Sequence, residues 1–280
     1  MQDNGVLFRH FDSAYNVLTG KPASSFEFEY GKTPLASFSA VILTSMVYFL
    51  VIFGTQHLLK DQKPFNCNRL FQIHNALVCL ASTALFALTM EQLVPLMWHR
   101  GMHFTMCSPS AYTQKLELLY YLNYLMKYWE LADTMFMVLK KKPLKLLHYY
   151  HHSSTLVLCF TQLLGKTTLS WLPITLNLGI HILMYYYFLL SSVGGRPWWK
   201  RYLTGLQISQ FIVDLVIIYG LIWSYFADKH WPYLPNVGTC SGETAPVLFG
   251  TFVLTSYLFM FINFYKETYH RIVPATNKDH

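Results

Sequence analysis

Three histidines in the run His148-Tyr149-Tyr150-His151-His152, preceded by Lys127, Glu130 and Asp133 at helical spacing, are the groups in this chain best suited to chemistry. Neutral imidazole is a nucleophile and a proton carrier near neutral pH. Carboxylates beside imidazoles fix tautomers, and amide and imidazole N–H groups stabilise a developing oxyanion. All of these residues sit in strongly apolar surroundings, where an ionisable group is costly and marks a function.

The elements that hold them must be membrane helices. The 280 residues are 53% hydrophobic, 17% aromatic and only 12% charged, too apolar for an ordinary soluble domain. Spanning hydrocarbon takes about 20 residues as a helix. Candidate spans are predicted at residues 34–58, 70–92, 116–139, 146–165, 170–190, 204–226 and 246–266. The expected fold is therefore an all-α membrane protein with seven transmembrane helices (34–269), a luminal segment 1–33 and a cytosolic tail 270–280. The first 30 residues hold Asp3, Asp12, Glu27 and Glu29 and no apolar signal-peptide core, so the first span is expected to direct insertion. Lys278 only weakly resembles a retrieval signal for the endoplasmic reticulum.

The basic residues orient the chain. Thirteen fall in one alternating set of segments, 60–69, 140–145, 196–201 and 266–278, and seven in the other. The positive-inside rule then places the N-terminus in the lumen and the C-terminus in the cytosol. The net charge of +7 is spread in short clusters between apolar spans, which argues against nucleic-acid binding. On this topology Cys107 and Cys240 share the oxidising side, and a disulfide between them is predicted. Cys67 lies near the cytosolic face, and Cys79 and Cys159 lie in the membrane.

Depth counted from the cytosolic charges brings the polar groups to one layer. Asp133 and Glu130 lie roughly 10 and 15 Å deep, His151 and His152 roughly 9 and 10 Å, Gln207 and Gln210 roughly 9 and 14 Å, and Tyr185 and His181 roughly 16 and 22 Å. Helical phase groups Lys127 with Glu130 and Thr134, His148 with His151 and His152, and Asn177 with His181, Met184 and Tyr185. Lys127 is expected to pair with both carboxylates.

These residues form ordered patterns: Lys127-x-x-Glu130-x-x-Asp133-Thr134, His148-x-x-His151-His152, Asn177-x-x-x-His181-x-x-Met184-Tyr185 and Thr204-x-x-Gln207-x-x-Gln210-Phe211. In them, from about Gly31 to Tyr269, the chain resembles the very-long-chain fatty acid elongases, the membrane 3-ketoacyl-CoA synthases. Phe26-Glu27-Phe28, Gly31-Lys32-Thr33-Pro34 and Ser170-Trp171-x-Pro173-Ile174-Thr175-Leu176-Asn177 are similar to the fungal branch that makes saturated and monounsaturated chains, the precursors of sphingolipids.

The resemblance implies six of seven helices in a barrel around a narrow acyl tunnel, open to the cytosol for coenzyme A. It implies condensation of a long-chain acyl-CoA with malonyl-CoA, giving a 3-ketoacyl-CoA two carbons longer, carbon dioxide and coenzyme A. No tightly bound cofactor and no metal are expected. The implied partners are membrane lipid and the ketoacyl reductase, dehydratase and enoyl reductase of the cycle, in the endoplasmic reticulum; homo- or hetero-oligomerisation stays open.

His151 is the expected nucleophile, with His181 facing the same tunnel. His148, His152, Asn177 and Gln210 are candidate oxyanion donors, and Glu130 and Asp133 candidate imidazole orienters. Tyr185, Gln207 and Gln210 are expected to contact substrate, and Lys140, Lys142, Lys145, Arg196 and Lys200 to meet coenzyme A phosphates. Lys229 and His230 are candidates for setting tail length, and Asp214 has no role in the shared patterns. Two other classes compete. A di-iron desaturase would use His-x-x-His-His with His99-x-x-x-His103, although the charge bias places these a bilayer apart. A seven-span receptor or transporter would leave the four patterns unexplained.

Overall fold

The computed structural model describes residues 5–269, in which ten α-helices carry nearly all the regular structure. They are α1 (Val6–Thr19), α2 (Phe38–Leu58), α3 (Asn68–Arg100), α4 (Met102–Cys107), α5 (Gln114–Glu130), α6 (Ala132–Leu139), α7 (Leu146–Leu164), α8 (Trp171–Ser192), α9 (Lys200–His230) and α10 (Thr244–Tyr269). The predicted tail 270–280, with Lys278, lies outside the described residues. Five helices, α2, α3, α8, α9 and α10, are long and apolar enough to cross a membrane. The fold is that of an all-helical, multi-pass membrane protein.

Three elements depart from the sequence-based expectation. The segment 116–139 is not one helix: it breaks at Leu131, whose N–H turns back to the Tyr128 carbonyl. Residues 1–33, for which the sequence gives no predicted helix, include the helix α1. Its inner residues Phe8, Phe11 and Tyr15 pack on the main core. α3 extends to Arg100, well past the predicted end at 92, carrying Pro95 within it.

Packing follows a simple order. α3 lies on α8, α8 on α9, α9 on α10, α10 on α7, α7 on α5, and α5 back on α3, while α2 touches only α6 and α7 among the helices it packs against closely. Away from the basic loops, Cys107 and Cys240 form a disulfide; Cys67, Cys79 and Cys159 are free. The bridge joins α4 to the loop before α10, and Ser241 N–H reaches the Cys107 carbonyl at 2.9 Å.

The chain entering α2 is held from the side by α5. Tyr121 and Tyr124 hydroxyls donate to the carbonyls of Pro34 and Leu35, and Glu117 accepts the Phe28 N–H. At the far end of α7, Gly165 is buried against Pro246 at the start of α10, so close that a Cβ would stand 2.5 Å from the proline ring. Neither the rigid ring nor the helix end yields cheaply. Gly165→Ala should cost about 1–3 kcal/mol by overpacking, read as a lower thermal midpoint of the purified protein.

Candidate functional site

The break at Leu131 decides what each acidic residue meets. In an unbroken helix Glu130 and Asp133 would share a face. Here Glu130, ending α5, accepts two hydrogen bonds from Lys127 Nζ, at 2.9 and 3.2 Å, and lies 3.2 Å from His181 Nδ1 on α8. That last approach lies outside hydrogen-bond geometry, since His181 Nδ1 has no hydrogen-bond partner. Lys127 Nζ also donates to Asn177 Oδ1 at 2.9 Å. Lys127 and Glu130 are each only 2% exposed.

Asp133, on α6, faces elsewhere. Its Oδ1 is 2.7 Å from His74 Nε2 and its Oδ2 takes the Tyr185 hydroxyl at 2.5 Å. Because the Trp129 indole N–H donates to His74 Nδ1 at 3.2 Å, Nε2 carries the proton and donates to Asp133. His152 Nε2 stands 4.0 Å from the same carboxylate. The expected pairing of Lys127 with both carboxylates is thus corrected: only Glu130 receives it. Thr134, grouped with Lys127 by phase, instead pairs with Tyr48 at 2.7 Å.

A cavity of about 350 Å³ runs among α5, α7, α8, α9 and α10. Its polar end is walled by Lys127, His151, Asn177, Gln210 and Tyr257. Leucines and isoleucines of α7, α8 and α9 line the middle, and the far end reaches Thr167, Ser170 and the Cys240 loop. The wall includes His151 and not His181, which is buried behind it against Glu130. Tyr257 donates to the His151 carbonyl at 3.2 Å and packs its ring, tilted by 45°, with its centroid 4.7 Å from that of the imidazole, holding it on the wall. His148 and His152 pack ring to ring at 4.8 Å, off the cavity.

Several expected contacts fall outside this wall. Tyr185 is fully buried and spends its hydroxyl on Asp133, and Gln207 points its amide at Met184 Sδ. Asp214, between the wall residues Gln210 and Ile218, is fully buried with neither oxygen hydrogen-bonded. Lys229 and His230 are exposed and touch the cavity only through Tyr225 and Phe226, which line it.

The basic collar is divided. Lys140 lies over the Phe71 ring, and burial holds its ammonium below the ordinary pKa, with Lys142 adding to the effect. Lys145 pairs with Glu267, and Arg201 donates to the Tyr265 hydroxyl. Lys142, Arg196 and Lys200 are exposed. His103, by contrast, bonds the Val237 carbonyl near the disulfide, at the far end of the molecule from His148, so the geometry a di-iron site would need is not present between these two histidine groups.

His74 and Asn123 were missed by sequence reasoning. A solitary histidine in the apolar run of α3 was the available signal. Asn123 lines the cavity with an unpartnered Oδ1, and nothing in the sequence distinguished it from a helix-packing residue.

With this geometry in hand, comparison with known proteins is informative. Residues 33–277 match the model of the ELO family, described as GNS1/SUR4, and the chain belongs to that family. It is 44% identical over 266 residues to a Schizosaccharomyces pombe protein named "Putative fatty acid elongase 1", covering 95% of this chain and 80% of that one. It is 34% identical over 239 residues to fatty acid elongase A of Dictyostelium discoideum, covering 85% and 86%. Very long chain fatty acid elongase 5 of Homo sapiens is 28% identical over 263 residues, covering 88% and 79%.

Removing one partner of the buried Lys127–Glu130 pair leaves an uncompensated charge. Lys127→Met should therefore cost about 3–5 kcal/mol, while Lys127→Met with Glu130→Leu recovers much of it. Thermal unfolding of the three proteins checks this. A double variant no more stable than Lys127→Met would show that the pair is not the source of the loss.

Proposed function

We propose that this chain is the condensing enzyme of fatty acid elongation, an acyltransferase of the 3-oxoacyl-CoA synthase class acting on acyl-CoA and malonyl-CoA. The observation that carries the reading is His151 on the wall of a long apolar cavity, between Lys127, Asn177 and Gln210. The family and the names of its members supply the substrate class.

In the first half-reaction an imidazole nitrogen of His151 attacks the thioester carbonyl. The C–S bond breaks, coenzyme A leaves as the thiol with the displaced proton, and an acyl-imidazole remains, still activated toward attack. Malonyl-CoA then loses carbon dioxide. The resulting enolate carbon attacks the acyl carbonyl, the C–N bond breaks, and the departing imidazolate takes a proton from solvent to restore neutral His151, leaving a 3-ketoacyl-CoA two carbons longer. Asn177 gives its amide oxygen to Lys127, so its NH2 group is the donor left for an oxyanion, with Gln210 beside it on the wall. Tyr257 and the Glu130–His181 contact act as positioning groups. His148, His152, Asp133 and Tyr185 support the layer from behind, and the exposed Lys142, Arg196 and Lys200 are the collar residues free to meet phosphates.

The same reading takes α5–α6 and α7 as further membrane crossings, making seven. The six elements packed in closed order form the barrel, with α2 outside. Placing the disulfide in the endoplasmic reticulum lumen and the basic loops in the cytosol is consistent with where cysteine pairs are oxidised. Product would pass to a ketoacyl reductase, dehydratase and enoyl reductase.

Incubating the purified protein with radiolabelled acyl-CoA alone should leave label on His151, found by peptide mass spectrometry and discharged by malonyl-CoA. His151→Ala should show no adduct and a loss of at least about 10³-fold in condensation. An adduct on the His151→Ala protein would refute the assignment. Tyr257→Phe should lower kcat by about tenfold through a looser ring, while leaving the adduct on His151.

A further inference from the structure

α1 was unforeseen, and its surface divides into three. At 3.6 residues per turn, Phe8, Phe11, Asp12 and Tyr15 share the arc that packs on the protein. Arg9, Ser13 and Asn16 share a second, exposed and polar. Val6, Leu7, His10, Ala14, Val17 and Leu18 share the third, exposed and largely apolar. Val17 and Leu18 are 86% and 85% exposed, far more than packing within this chain can explain. A helix with one side on protein, one polar and one apolar matches a membrane boundary, where water and lipid meet along its length.

Its position on α3 agrees. α3 carries a stripe of exposed apolar residues, Leu70, Ile73, Leu77, Leu80, Val94 and Trp98, all on one face and interrupted by Glu91. Glu91, the only carboxylate between Leu70 and Trp98, accepts the N–H groups of Leu7 at 2.9 Å and Phe8 at 2.7 Å. It thereby satisfies two of the unpaired donors at the start of α1, with the favourable end of the helix dipole. Counting from Leu70, beside the basic segment, Glu91 is 21 residues along and about 31 Å away. That is the thickness of the hydrocarbon layer, about 30 Å. The latch is therefore at the far membrane boundary, and the apolar arc of α1 continues the lipid-facing stripe of α3.

We propose that α1 is an interfacial helix bound to lipid in the leaflet opposite the basic loops, with Val6, Leu7, Val17 and Leu18 immersed and Arg9, Ser13 and Asn16 in water. Glu91 latches it there. This goes beyond the catalytic reading and does not depend on it.

Photolabelling tests it directly. The full chain is reconstituted in phosphatidylcholine vesicles containing a diazirine-bearing phospholipid, irradiated, and mapped by peptide mass spectrometry. Adducts are expected on Val6, Leu7, Val17 and Leu18 as on Leu70–Leu80, and to be several-fold fewer on Arg9, Ser13 and Asn16. Equal labelling of the two arcs, or none at Val17 and Leu18 with Leu70–Leu80 labelled, overturns it. Efficient chain-to-chain crosslinking through Val17→Cys would place a second copy on this face and overturn it too. In Glu91→Ala, labelling at Val17 should fall several-fold and the Leu7 and Phe8 amides should exchange faster, with Leu70–Leu80 unchanged as the folding control. Unchanged labelling at Val17 in that variant would remove the latch.

Discussion

The ion pair between Lys127 and Glu130 is the constraint on which the interior is organised. Two charges buried in an apolar bundle are tolerable only when each has close partners. Lys127 has Glu130 and Asn177, and Glu130 has Lys127 and His181. α5 and α8 must therefore approach at this depth, and the polar end of the cavity follows from that approach. A second, separate set links α3, α6, α7 and α8 through Asp133, with His74, Tyr185 and His152 around it.

The interruption at Leu131 keeps the two sets apart. One extra turn of regular helix would bring Glu130 and Asp133 onto the same face and make like charges neighbours, which is destabilising. The break turns Asp133 toward α3, and the nucleophile candidate His151 faces a wall already neutralised by its own pair.

Much of this was legible in the sequence. The depth count put residues of four segments in one layer, and Lys127, His151, Asn177 and Gln210, one from each of these segments, line one end of the cavity. The approximate limits of α2, α7, α8, α9 and α10 were legible because rise per residue and the membrane's thickness leave little freedom. What was not legible depended on side-chain direction. Tyr185 and His181 share a helix face with Asn177 but turn to Asp133 and Glu130 rather than to the cavity, a matter of a fraction of a helical turn. The break at Leu131 has no glycine or proline to announce it. α1, 14 residues long, is too short to cross a membrane and so falls outside a reading based on spans, and its carboxylate partner lies 84 residues away in sequence.

The closed order of packing has a consequence for biosynthesis. α9 and α7 are neighbours of α10, the last helix of the described chain, and among the closely packed pairs they do not touch each other. Until α10 emerges from the ribosome and inserts, the growing bundle has a seam along its side, through which lipid tails have access to the future cavity. Completion of the compartment is then a late event in maturation, and a nascent chain arrested before α10 would hold its imidazoles in an unsealed trough.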